Sequence, residues 1–582
     1  MPAAEPRIAD RTPRGATGAM HPTLQTLGYT LVLAVVAFLV LYPAFRLLIG
    51  SFEVDTFGPN PSVGLENWQA VFSRPRLLAA IENTITLSVA RQLIAIIFGV
   101  TIAWLIARTN LPMSGWLEVG FWVALFMPAL PVTLAWVLLA GEGIGILNNA
   151  AKAVFSIDYD IFKIYSWWGI VWVHVMTATL AIKVFLLVPA FRNMDAAFED
   201  AARTCGASVW KTLLHIVVPI MLPTIIVVTV LGLIRSLQAF EIELILGSPA
   251  RIDVYSTAIY RAVNAQPPLH GIASVLSITF LGAVVPLVAL QQWYSKRYAV
   301  ASVSSKFSHR VQDLGNLRWP LFTVIVVVLA MMTVLPFALL VMSSFMKIFG
   351  MFDLPEPWTT AHWAEAFTRG DVQRAFWNSL KLGLTASLVG MISFSLVAYI
   401  AVKTRFRARG VLDFLTWIPA VIPGLVLSLG ILQMFAALPF FRPIYGTLAV
   451  LVLAVVIGTM ALGTQIIKAA LLNLGTELEE ASWASGASRF YTFRRVVLPL
   501  IAPAVAVIGL EVFATGISVV GLVALLGTGA TQPLSMLQLI YLDGGFFEPG
   551  AIVGLLITTI TVSAALLARY IGLKSGLGRA GT

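Results

Sequence analysis

Twelve stretches of about 20 mostly apolar residues run through this chain, each long enough to cross the roughly 30 Å of hydrocarbon in a bilayer. They lie near residues 25–49, 83–107, 117–140, 166–188, 216–234 and 271–293, then 319–343, 377–402, 411–436, 445–470, 501–526 and 549–571. Of the 582 residues, 59% are hydrophobic and only 11% charged, whereas soluble domains carry about 25% charge. Such a surface cannot be hidden in water, so the expected solvent is lipid and the expected fold an all-α polytopic membrane protein. The one cysteine, Cys205, excludes an intrachain disulfide. The first 24 residues are basic and rich in Pro, Ala and Gly, without the apolar core of a signal peptide, and read as a cytosolic tail.

The net charge of +10 could point to nucleic acid, but in a membrane chain it reflects basic loops on the cytoplasmic side. With both termini inside, the segments expected there hold 23 of the 38 Lys and Arg residues. The flipped topology would place the most basic loops outside.

The chain repeats itself. A shift of 280 aligns Glu199–Pro223 with Glu479–Pro503, matching nine residues that include Gly206 with Gly486, Ser208 with Ser488 and Pro219 with Pro499. A shift of 295 aligns Trp68, Asn83 and Thr109 with Trp363, Asn378 and Thr404. Six spans per copy is an even number, so both copies insert the same way up. The two halves form a parallel repeat about an axis along the membrane normal.

The two matched stretches are polar, small-residue interruptions in a mostly apolar chain. Each reads as a short helix with small residues on one face, a glycine able to take φ > 0, and a second helix capped by Ser208 or Ser488. On that second helix Trp210 and Leu213, matched by Phe490 and Phe493, fall one turn apart. Such an elbow either rests its aromatics at headgroup level or docks into a groove on a partner.

The pattern Glu199, Ala201, Ala202, Gly206, repeated as Glu479, Ala481, Ser482, Gly486, resembles the signature loop of permease subunits of binding-protein-dependent ABC importers. Ser482 departs from the second alanine but stays small. The resemblance covers about 25–295 and 319–573 and implies the type I ABC importer fold. The implied organisation is a tail over 1–24, a first permease domain over 25–295, a basic linker over 296–318, a second permease domain over 319–573 and a tail over 574–582. The implied coupling residues are those eight together with Trp210, Leu213, Phe490 and Phe493. The implied partners are cytosolic ABC ATPase subunits, in two copies, and a periplasmic solute-binding protein, with the chain multi-pass in a bacterial inner membrane. The chain has no Gly-Lys dipeptide, hence no phosphate-binding loop of its own. No catalytic residue, metal cluster or cofactor is expected, and the ATPase activity is assigned to a separate subunit.

Ionisable residues inside spans are costly and face cavities or partners. Arg91 lies in span 2, Arg235 at the end of span 5 and Glu511 in span 11, with Glu241 and Glu243 just beyond span 5. Arg235 and Glu511 either approach across the central pathway, or the arginine snorkels while the acid lines water. Glu241 and Glu243 belong either to the pathway or to the outer interface. Lys183 reads as a snorkelling residue and His174 as a satisfied polar one.

The competing architecture is a twelve-span secondary transporter of the major facilitator type. It calls for a charged turn between spans 2 and 3, and "RTNLPMSG" is not one. The fused form is similar to the branch serving ferric iron, thiamine and 2-aminoethylphosphonate, with polyamine importers related. Ferric iron is the expected cargo.

Overall fold

The computed structural model describes residues 22–54, 62–297, 311–475 and 477–574. The tails expected over 1–24 and 574–582 and the linker over 296–318 fall largely outside the described residues.

Among the described residues ten helices are long and apolar enough to cross a membrane: Gln25–Phe52, Pro75–Arg108, Trp167–Arg192, Trp210–Leu237, His270–Tyr294, Gly315–Phe345, Gly370–Lys403, Leu448–Leu472, Phe493–Ser518 and Phe547–Lys574. They are spans 1, 2, 4, 5, 6, 7, 8, 10, 11 and 12 of the sequence. Spans 3 and 9, expected to be continuous, are each broken. Ser114–Leu125 and Ala129–Ala140 meet at 99°, and Arg409–Ala420 and Gly424–Ala437 at 111°. Both second limbs begin after an extended proline, Pro128 (ψ 142°) or Pro423 (ψ 144°). Proline donates no N–H and pushes the preceding residue out of the helical region, so an apolar run containing one can turn a corner.

These broken spans join the halves. The second limb of span 9 packs on span 1, and the second limb of span 3 packs on span 7, each crossing to the other copy. Span 1 also packs on span 6, and span 7 on span 12. Within each copy span 2 packs on span 4, as span 8 does on span 10. Every residue from Leu130 to Ala140 is buried, so this limb sees protein on all sides. Among the described residues the one β-ladder is two-stranded and antiparallel, Glu53–Val54 with Ser62–Val63, beside two isolated bridges at Thr109–Gln312 and Met346–Trp358.

Close approach at the crossing depends on glycine. A Cβ on Gly430 would meet the backbone oxygen of Pro43, in the other copy, at 2.9 Å. Gly430→Leu is expected to destabilise the protein by about 1–3 kcal/mol, as overpacking does in tight cores. Thermal unfolding of the purified variant, against Gly28→Leu where nothing lies within 4 Å, checks this.

Candidate functional site: two elbows and a charged interior

Each elbow is built as its residues dictate. The first comprises Ala197–Thr204 and Val209–Thr212, the second Glu477–Ala484 and Arg489–Thr492. Gly206 and Gly486 lie between the helices at φ +80° and +83°, a region L-residues other than glycine seldom enter. The N–H of Ala207 donates to the carbonyl of Ala202 and that of Ala487 to Ser482, at 3.0 and 3.1 Å, the wrap that closes a helix on a left-handed residue. Ser488 Oγ accepts from the N–H of Tyr491 at 3.2 Å, and Ser208 Oγ from Lys211 at 3.4 Å. Ser482 adds a hydroxyl contact to Thr492 Oγ1 at 2.9 Å, tying the two helices of its elbow together.

The signature acids point inward. Glu199, 2% exposed, accepts from Arg108 Nε at 3.0 Å and from Trp104 Nε1 at 3.4 Å. Glu479 pairs with Lys403 Nζ at 2.7 Å. Arg108 ends span 2 and Lys403 ends span 8, at equivalent positions of the repeat. Their guanidinium and ammonium also reach the backbone carbonyls of Met194 (3.2 Å) and Leu474 (3.1 Å) just before each elbow. Glu199 and Glu479 therefore fasten the elbows to the bundle rather than meeting a partner. Arg108 and Lys403 escaped the sequence reading, although both stand as the last basic residue of a matched span.

The exposed surface also differs from the expected one. Trp210 is 40% exposed, its ring centroid 6.1 Å from that of Trp104. Leu213 is buried, while Leu214 beside it is exposed. The wide turn Leu213–Val217 follows directly, and a π-turn shifts the face by about one residue. Phe493 starts the equivalent turn and is half-buried, edge-on to Tyr399 at 5.1 Å. Phe490 lies in the second helix, its side chain outside the described residues. Phe198 and its counterpart Leu478 are exposed, adding apolar surface next to the buried acids. Ala201, Gly206, Ala481 and Gly486 are exposed, and Ala202 and Ser482 half-buried.

Deep in the first half, charges converge. Arg91 Nη1 and His174 Nε2 each meet Glu243 Oε1 at 2.8 Å, all three buried. Arg91 also donates to the Ser236 carbonyl, so it bridges span 2, span 5 and the short helix Glu241–Ala250. Glu243 is sealed behind this network rather than lining an open pathway. His174 is satisfied, as its sequence context implied. Glu241 is half-buried and faces the backbone amides of Val520 and Gly521 in the other copy. Arg235 is exposed to the space inside the bundle. It feels the charge of Glu511 without forming an ion pair, and Glu511 Oε1 accepts from Thr515 Oγ1 at 3.4 Å. Lys183 does not snorkel. It is 1% exposed and points into the protein.

Residues 95–300 and 391–574 match the protein family described as binding-protein-dependent transport system inner membrane component. A probable ABC transporter permease of Sinorhizobium fredii is 28% identical over 503 residues, 84% of this chain and 86% of its own length. The ferric transport system permease protein FbpB of Actinobacillus pleuropneumoniae is 23% identical over 93% of this chain and 77% of its own. The molybdenum transport system permease protein ModB of Escherichia coli is 28% identical over 221 residues, 37% of this chain and 93% of its own. A bacterial alginate ABC transporter, crystallised in complex with an alginate pentasaccharide-bound periplasmic protein, aligns with a TM-score of 0.40 at 20% identity, over 47% of this chain and 96% of that one.

Breaking a buried ion pair from one side strands a charge and costs about 3–5 kcal/mol, whereas removing both partners is nearly neutral. Glu199→Gln is thus expected to lower thermal stability and open the first elbow to limited proteolysis. Glu199→Gln with Arg108→Met should recover most of the loss. Equal damage in single and double variants would deny the anchoring role.

Proposed function

Because this chain belongs to the family of binding-protein-dependent transport system inner membrane components, we propose that it is a membrane-spanning permease of an ATP-driven importer, with two permease copies in one chain. The elbows face the cytosol, and each seats in one subunit of a separate ATPase dimer. A periplasmic binding protein delivers solute to the opposite mouth. Both termini are then cytosolic. Closure of the ATPases draws the elbows together, and the halves rock between outward- and inward-facing states.

The observation that carries this reading is the anchoring of both elbows to the ends of spans 2 and 8 through buried carboxylates, Glu199 on Arg108 and Glu479 on Lys403. A docking helix transmits motion only when its other end is fixed, and here both ends of the repeat are fixed alike. Exposed Phe198, Trp210, Leu478 and Trp483 supply apolar and aromatic surface suited to helix-in-groove docking. Ferric iron heads the proposed cargoes, through the kinship with ferric permeases, ahead of 2-aminoethylphosphonate, thiamine and polyamines. Relatives named for molybdenum and sulfate widen that set to oxyanions.

Open space surrounds both left-handed glycines, so Gly206→Val and Gly486→Val strain the backbone without a clash, at about 1–2 kcal/mol each. Both variants are expected to reach the membrane but to lose ATP-driven uptake, or to leave ATP hydrolysis uncoupled from it. Uptake by everted and right-side-out vesicles, with ATPase retention scored in parallel, reads this out. Wild-type uptake in both would overturn the lever. Uptake that survives ATP depletion and collapses with the proton gradient would overturn the importer itself.

A further inference from the structure

A cavity of about 200 Å³, carrying several charged side chains, lies within the first half, walled by spans 2, 4 and 5, the corner of span 3 and the start of Glu241–Ala250. Three of its walls are irregular backbone: the corner at Met127–Ala129, the segment at Thr177 (φ −113°, ψ −152°) inside span 4, and Ala239 between two helices. At membrane depth such backbone is tolerated where it lines a cavity, and substrate sites of transporters are built this way.

The charges in this cavity are unevenly matched. Arg91 is neutralised by Glu243, Arg235 senses Glu511 at a distance, and the one carboxylate in the lining, Glu241, is held by the backbone amides of Val520 and Gly521. Lys183 forms no ion pair or hydrogen bond among the described residues, and the charges acting on it, Arg235 and Arg91, are both of like sign. A buried ammonium that feels two guanidinium groups and has no carboxylate partner favours an anion beside it. The uncapped N-terminus of the helix from Ala129 opens onto the same space and favours negative charge.

Room for Lys183 is specifically made. A Cβ on Gly99 would collide with the Lys183 stem, and one on Gly232 with its Nζ. In the other copy the arrangement is inverted: Phe394 stands at the position of Gly99, and Gly463 at that of Lys183. The Phe394 ring fills the place that a Gly463 side chain would take. Arg91 and Arg235 are likewise replaced by Ala386 and Thr515. The cationic cavity therefore belongs to one half alone.

We infer that Lys183 and Arg235, with Arg91 behind them, form a transient binding site for a small oxyanion on its way through the membrane. The inference rests on the importer reading and narrows its cargo. Oxygen-rich anions fit, whether a free oxyanion such as a phosphonate or molybdate, or ferric iron wrapped in oxyanion ligands. Polyamines and other cations do not.

The test uses the full chain co-purified with its ATPase subunits in lipid nanodiscs, with unfolding followed by tryptophan fluorescence. Probes are 2-aminoethylphosphonate, molybdate, sulfate and ferric pyrophosphate, against chloride at matched ionic strength and spermidine. An oxyanion probe is expected to raise the wild-type melting temperature. Lys183→Met and Arg235→Gln should each require roughly tenfold or more of that probe for the same shift, the value of one charge-assisted hydrogen bond. A shift with the free oxyanions assigns an oxyanion cargo; a shift with ferric pyrophosphate alone assigns the iron complex. Equal shifts with chloride, a shift with spermidine instead, no shift with any probe, or variants that respond like wild type would each overturn the site. Arg235 is exposed, so Arg235→Gln keeps the test valid if Lys183→Met fails to fold. Particles lacking ATPase would sink the importer reading; particles that retain it yet ignore every probe sink only the cavity.

Discussion

Hydrocarbon offers no hydrogen bonds, so backbone that leaves the helix must be satisfied and covered by protein. Spans 3 and 9 turn sharp corners in the middle of apolar runs, and this is possible only because their second limbs cross to the other copy. The limb Ala129–Ala140 is shielded by span 7 and by span 12. The two halves are consequently interlocked rather than merely adjacent. The same enclosure lets the first half hold charged side chains and an interrupted span 4 at depth. A lipid-facing helix could hold neither.

The elbows obey a different demand. They lie at helix ends, where carbonyls are unpaired and small residues allow close packing. A carboxylate buried beside a guanidinium or ammonium is a poor source of stability, since desolvation offsets most of the attraction. Its value here is positional. Glu199 gathers Arg108 and Trp104 at one point, and Arg108 also holds the Met194 carbonyl. Glu479 and Lys403 do the same with Leu474. The foot of span 2 or 8 and the start of its elbow thus move as one piece.

Much of this was legible in the sequence, and the rest was hidden for identifiable reasons. Hydropathy located all twelve apolar runs, and the offsets of 280 and 295 established the duplication. The positive φ of Gly206 and Gly486 and the serine caps followed from local chemistry alone. The corners were written as Pro128 and Pro423, yet apolarity masked them, because a span count weighs composition and not hydrogen bonding. Leu213 was misplaced because a π-turn shifts a helix face and leaves no pattern in the residues. Lys183 was read as snorkelling from its position along span 4. Its burial depends on Gly99 and Gly232, which are distant in sequence and adjacent only once spans 2 and 5 pack beside it. Arg108 and Lys403 went unremarked among the basic residues of the cytoplasmic side, and only contact with the acids gives them a role.

The repeat separates what must be alike from what must differ. The anchoring acids, their basic partners, the left-handed glycines and the capping serines occur twice, in register. A pair of like subunits could grip such elbows by the same contacts. The interior is not duplicated: a cation with a glycine opposite it in one half becomes a glycine with a phenylalanine opposite it in the other. Both solutions fill the same gap between the second and fourth helices, so the packing of the two bundles stays matched while their chemistry diverges. Tight packing permits such an exchange only when volume is lost on one helix and gained on its neighbour. A fused chain can keep the pair of changes together, because both halves are inherited as one. Under the proposed reading this gives a symmetric drive acting on an asymmetric passage, which a single small solute without twofold symmetry requires.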